Sequence, residues 1–167
     1  MVSVHSFVDS WKTVRKDSVQ ALLDMPAGSL DFQPVPELMP FQDIAVHILN
    51  AGHALAGLLL DGVDDMTTPD FRPRMAGYFL QSAAGLPREE LADLMLRSLD
   101  EDCARIEAQP AEFWAAAVKK FDGTPLTRME MLQFTKEHEL THRSQMFVYL
   151  RLKGVVPPTT RRKLAKK

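Results

Sequence analysis

Cysteine is nearly missing from this chain. Cys103 is the only one, so no disulfide can form within the chain, and cysteine usage constrains the redox compartment only weakly. Long apolar runs are missing too: none approaches the ~20 residues that a membrane span needs. In the opening stretch, MVSVHSFVDSWKTVRKD, polar residues recur too often for the core of a signal peptide. A soluble cytoplasmic protein with no membrane partner is the expectation. Neither sign of charge dominates, since 20 Lys and Arg stand against 22 Asp and Glu for a net charge of −2, and no nucleic-acid partner is expected. Acidic residues end at Glu139, and the last stretch, RRKLAKK at 161–167, is strongly basic. Residues 160–167 read as a flexible, solvated tail, with a polyanion or membrane-surface role as the alternative. Alternation at period two is almost absent as well, which argues against a sheet.

What the chain has is helical periodicity, in a composition ordinary for a globular protein at 46% hydrophobic and 25% charged. Its length suits one domain over 1–167, enough to bury roughly two-thirds of the unfolded surface. A first segment, about 5–25, sets Phe7, Trp11, Val14, Ser18 and Leu22 on one stripe and stops at Met25-Pro26. Residues 26–40, PAGSLDFQPVPELMP, are too rich in proline to be helical. A second segment, about 41–61, carries Ile44, His47, Ile48, Ala51, Leu55, Leu58 and Leu59 on one broad face and ends at Asp61-Gly62. The connection at 63–87 follows, with a short helix expected within MAGYFLQSAA at 75–84. A third segment, about 88–108, begins with Glu89 and Glu90, which favour a helix N-terminus. The fourth is expected to start with Thr124 as N-cap and Pro125 in the first turn, and to run to Gly154. Four amphipathic helices and no sheet make an all-α four-helix bundle. The long crossover between the second and third helices would let those two run parallel.

Residues 138–142 read HELTH, the H-E-x-x-H string of zinc peptidases, in which two His bind the metal and the Glu is the general base. The rest of the chain speaks against a peptidase. No His, Glu or Asp follows His142 to serve as a downstream third ligand, and Gln145 and Val148 stand where an extended motif wants Gly and His. The two imidazoles nevertheless lie about 40° apart on one helix face, a face that also bears Met131, Phe134, Thr135, Gln145 and Tyr149 and looks inward. A shared divalent cation would give both a partner. A third ligand must then come from upstream. His47 lies on the apolar stripe of the second segment, either as a core histidine bonded to a carbonyl or as the third ligand, and with an inward His pair elsewhere the three-His site is the preferred reading. His53 lies about 120° round, on the flank with Val46, Asn50 and Gly57, and His5 is expected in solvent. Glu139 points about 100° away from His138 and reads as a solvated carboxylate, with Glu137 and Glu139 as possible supports for the ligands. Cys103 reads as a small buried hydrophobe, with thiolate ligation as the alternative.

Together, DFQPVPELMPFQDIAVHILNAGHAL and the closing HELTHRSQMFVYLRLKGVVPP resemble the DinB/YfiT-like superfamily of small helical-bundle metalloproteins. That pattern places one His on the second helix and H-x-x-x-H-R-G-Q on the last, and the likeness runs from Trp11 to Pro158. It implies metal ligands at His47, His138 and His142, an up-down-down-up bundle, a homodimer, and zinc or nickel as the metal. Ser144 stands where Gly is common, and as a small residue it should still let the last helix pack closely. Characterised relatives include S-transferases and isomerases that use bacillithiol or mycothiol. The resemblance therefore implies a metal-dependent transferase acting on a small electrophilic substrate, with a low-molecular-weight thiol as a further cofactor. A metal-dependent hydrolase and a non-catalytic, metal-braced bundle are the alternatives. Gln145 and Tyr149, and more weakly Glu139, are the candidates for handling substrate.

Overall fold

In the computed structural model, which describes residues 3–166, the chain runs as follows. Helix α1 spans Val4–Asp24, α2 Phe41–Leu60, α3 Phe71–Gly77, α4 Arg88–Glu107 and α5 Ala111–Ala115. Strands β1 (Ala117–Lys119) and β2 (Pro125–Thr127) then form an antiparallel hairpin, and α6 (Arg128–Leu152) and α7 (Pro158–Leu164) complete the chain. The four long helices have local causes. The Ser3 hydroxyl caps α1 by accepting from the Ser6 amide, and Pro26 holds Met25 extended and ends the helix. Gly62, at φ +80°, turns the chain out of α2 while the Val63 amide donates to the Leu58 carbonyl.

Two apolar clusters give the helix directions. One joins Phe7 and Trp11 of α1, Leu58 and Leu59 of α2, Cys103 and Ile106 of α4, and Met131 and Leu132 of α6. The other joins Leu22 and Met25, Phe41 and Ile44, Leu91 and Met95, and Met146 and Leu150. So α1 and α6 run one way, α2 and α4 the other. Both α1 and α2 pack against α4 and α6 and face each other across the diagonal. Between the clusters lie buried polar residues of α1, α4 and α6, among them Arg15, Ser18, Ser98, Thr135 and Glu139.

Four expectations need correction. The last long helix begins at Arg128, because 117–127 is the hairpin: Gly123 (φ +84°) makes its turn, Asp122 accepts from the Thr124 amide, and Pro125 lies in β2. Thr127 is the N-cap, in a reciprocal capping box with Glu130. Three-residue strands are too short for alternation to register. The short helix of the long connection lies at Phe71–Gly77, with a single 3₁₀ turn at Gln81–Ala83. The basic end forms α7 rather than a free tail, because Arg162 forks onto Asp17 at 2.6 and 2.9 Å and Arg161 reaches Asp24 at 2.8 Å; of the expected tail, Lys167 lies outside the described residues. Finally, among the described residues α2 is long and apolar enough to cross a membrane by length and composition, but most of that stretch is buried in the bundle.

Candidate metal centre

Helices α2 and α6 pack side by side, and the second turn of one meets the middle of the other. His138 and His142 share a face of α6 one turn apart, and His47 comes to them from α2. Nε2 of His138 lies 3.2 Å from Nε2 of His47 and 3.1 Å from Nε2 of His142, and one ring nitrogen from each of the three fits within a 4.8 Å span. Nitrogens placed tetrahedrally ~2.0–2.1 Å from zinc stand about 3.3 Å apart, so the spacing suits a metal. It does not suit hydrogen bonding. An imidazole nitrogen carries one proton or one lone pair, so Nε2 of His138 can satisfy only one of its two neighbours, whereas a shared cation takes a lone pair from all three.

Electrostatics favour the neutral ligand form. Burial, followed by the neighbouring His142, lowers the pKa of His47. Burial and then the charges of His142 and His47 bring His138 down to about 4. Gln145 meets His142 from behind: its Oε1 lies 2.7 Å from Nδ1 of His142, and a proton held there would leave Nε2 free to ligate. Among the described residues no Cys, Asp or Glu joins the three imidazoles.

Glu139 lies elsewhere than expected. It is buried, 2% exposed, on the side of α6 facing α1, and there it accepts four hydrogen bonds: from Trp11 Nε1 (2.8 Å), Arg15 Nε (2.8 Å), an Arg15 terminal nitrogen (2.9 Å) and Ser18 Oγ (2.9 Å). Arg15, itself 2% exposed, also donates to the Met95 carbonyl. All the acceptor capacity of the carboxylate is occupied, so HELTH has no free general base and the peptidase reading fails on geometry. Arg15 escaped the sequence reading because its partner lies 124 residues away and charged residues are seldom fully buried.

The other candidates separate. Tyr149 is buried among Phe32 and Phe41 and donates to the Met39 carbonyl, which leaves it no part at the triad. Glu137 is exposed and takes a bond from Gln133. Ser144 is exposed and bonds back to the Leu140 carbonyl, so it mediates no close helix packing. His53 pairs with buried Asp102 at 2.8 Å, and His5 with Glu107 at 3.0 Å. Cys103 is fully buried, and burial pushes its thiol up to about 12, so it supplies no thiolate.

His47 and His138 form part of the wall of a cavity of about 500 Å³. Ala51 and Leu55 of α2 and Phe134 of α6 add to the wall, and the rest comes from outside the four long helices: Met66, Phe71 and Met75 from the 63–87 connection and Phe121 from the hairpin turn. The connection is held in place by backbone pairing to the hairpin, the Lys119 amide donating to Asp64 and the Met66 amide to Lys119.

Solved structures share this fold. A DinB-like protein from Bacillus cereus superposes with a TM-score of 0.70 at 18% identity, over 94% of this chain and 97% of its own. One from Bacillus subtilis gives 0.67 at 19% identity, over 89% and 92%. A mycothiol-dependent maleylpyruvate isomerase gives 0.63 at 13% identity, over 86% of this chain and 60% of its own. At these identities the likeness is one of fold. No curated protein matches the chain. The family model described as DinB family, however, matches residues 1–166, and on that match this chain belongs to the DinB family.

Proposed function

We propose that the protein is a metal-dependent enzyme of the thiol S-transferase type that acts on small electrophilic molecules. One observation carries this reading: three imidazoles meet, two of them (His47 and His138) in the wall of an open cavity, and among the described residues no fourth protein ligand closes the set. A divalent ion there, zinc or nickel, would supply Lewis acidity and favour the thiolate of a low-molecular-weight thiol. The chain's own residues supply the rest. Gln145 fixes the tautomer of His142, and apolar side chains keep water from an electrophile in the cavity. A metal that only braces α2 against α6 would call for a closed set of protein ligands. Hydrolysis would gain from a carboxylate base, and among the described residues neither Asp nor Glu lines the cavity. The mycothiol dependence of one structural neighbour supports a thiol as the second reactant.

The test is elemental analysis of wild type beside His47→Ala, followed by conjugation of mycothiol or bacillithiol to chlorodinitrobenzene, which forms a C–S bond and releases chloride and a proton. About one metal per chain, lost in the mutant together with conjugation, is the expected result. Metal retained without His47, or turnover of an activated ester that needs no thiol, would overturn it.

A further inference from the structure

The cavity beside the triad has a charge pattern of its own. Arg72, on α3, lines it together with His47 and His138. Among the described residues Arg72 has neither an ion pair nor a hydrogen bond, whereas Arg74, two residues on, lies 3.9 Å from Asp70. Among the described residues no acidic side chain lines the cavity. The aspartates next to its lining in sequence each face another cation: Asp65 is held by Lys119 at 2.7 Å and by the amide and hydroxyl of Thr67 at 2.8 and 2.6 Å, Asp70 lies 3.9 Å from Arg74, and Asp122 lies 2.9 Å from Lys120. Part of the wall is aromatic. Phe121 is 48% exposed, unusual for so large an apolar side chain, and its ring stands 5.7 Å from that of Phe134.

We propose that Arg72 is the anion-recognising group of this cavity, and that its substrates are small electrophiles combining a carboxylate with a planar, apolar body. The inference rests on the reading of the triad as a metal centre, and deepens it. A guanidinium with all its donors free matches a carboxylate through two parallel hydrogen bonds. With no carboxylate in the wall to compensate it, the site attracts anions, and a dication on three neutral imidazoles adds to that attraction. The Phe121–Phe134 pair offers a flat body the edge and face contacts that aromatic rings favour.

The probes are cinnamate and its uncharged amide, titrated by calorimetry into zinc-loaded and zinc-free protein, with zinc content measured on the same samples. Wild type is expected to bind cinnamate about ten-fold more tightly than the amide, the gain typical of a charge-assisted pair near the surface. Arg72→Met should bring the two affinities together while leaving zinc content unchanged, and Arg72→Lys should restore part of the difference. A preference for cinnamate that survives Arg72→Met would overturn the proposal, as would no preference, or no binding of either probe, in wild type. Failure of the metal reading shows separately, as zinc missing from wild type or kept by His47→Ala, and the zinc-free titrations still report on Arg72.

Discussion

Glu139 shows how one residue type can be read two ways. Within HELTH it has the place of a catalytic base, but in the fold it anchors α6 to α1 through Arg15, Trp11 and Ser18, and leaves its neighbours His138 and His142 turned toward α2. Gly52 helps to make room: a Cβ there would stand 3.1 Å from an Arg15 nitrogen and 3.4 Å from the Trp11 ring. Breaking a buried pair on one side strands the remaining charge, which costs about 3–5 kcal/mol. Glu139→Ala is therefore expected to lose that much stability in urea unfolding, with a Tm lower by about 10 °C. Glu139→Gln, which keeps an acceptor for Trp11 and Ser18, should lose less. A loss below about 1 kcal/mol in Glu139→Ala would mean that the network is not what holds α6.

At the scale of the elements, polar side chains tie helices together at defined points. Arg162 and Arg161 hold α7 to α1, and the capping box of Thr127 and Glu130 sets where α6 begins. His53 of α2 meets Asp102 of α4, and this tie depends on pH. The hydrogen bond to Asp102 raises the pKa of His53 above its ordinary value, with burial and Arg105 opposing and Glu101 adding to it. A group whose folded pKa is raised contributes stability in full below its unfolded pKa of about 6.5, and loses that contribution as pH rises through the folded value. The stability of wild type over His53→Gln should accordingly be largest near pH 6, by about 1 kcal/mol, and shrink toward pH 9. Chemical denaturation of both proteins across that range checks it. A difference that grew with pH would mean that His53 is paired as the neutral ring.

For the whole molecule, metal binding at the triad would be linked to folding. The three imidazoles come from two helices that are distant in sequence, so an ion bound to all three binds the folded chain and not the unfolded one. At a free zinc concentration 100 times its dissociation constant, the gain would be about 2.7 kcal/mol. Zinc added to chelator-treated protein should raise Tm, and the rise should disappear in His47→Ala. An equal rise in that mutant would place the binding elsewhere.

Much of the molecule could be read from local rules. Pro26, Pro40, Gly62, Pro87 and Gly154 delimit α1, α2, α4 and the end of α6 because each constrains the backbone at its own position. The common face of His138 and His142 follows from helical pitch alone, and His47 could be placed inward from the stripe around it. What periodicity could not supply was anything built from non-local contact. The burial of Glu139 depends on Arg15 in another helix, and the engagement of Tyr149 depends on a carbonyl at Met39. The hairpin was too short to show a period, and the cavity exists only because it is stitched to the 63–87 connection. By itself the sequence determined the helices and which of their faces are apolar, since these depend on residues within a few turns of one another. Only the tertiary structure decided which carboxylates are buried, which side chains line the cavity, and that the three imidazoles meet, since each of these depends on partners brought together across the length of the chain.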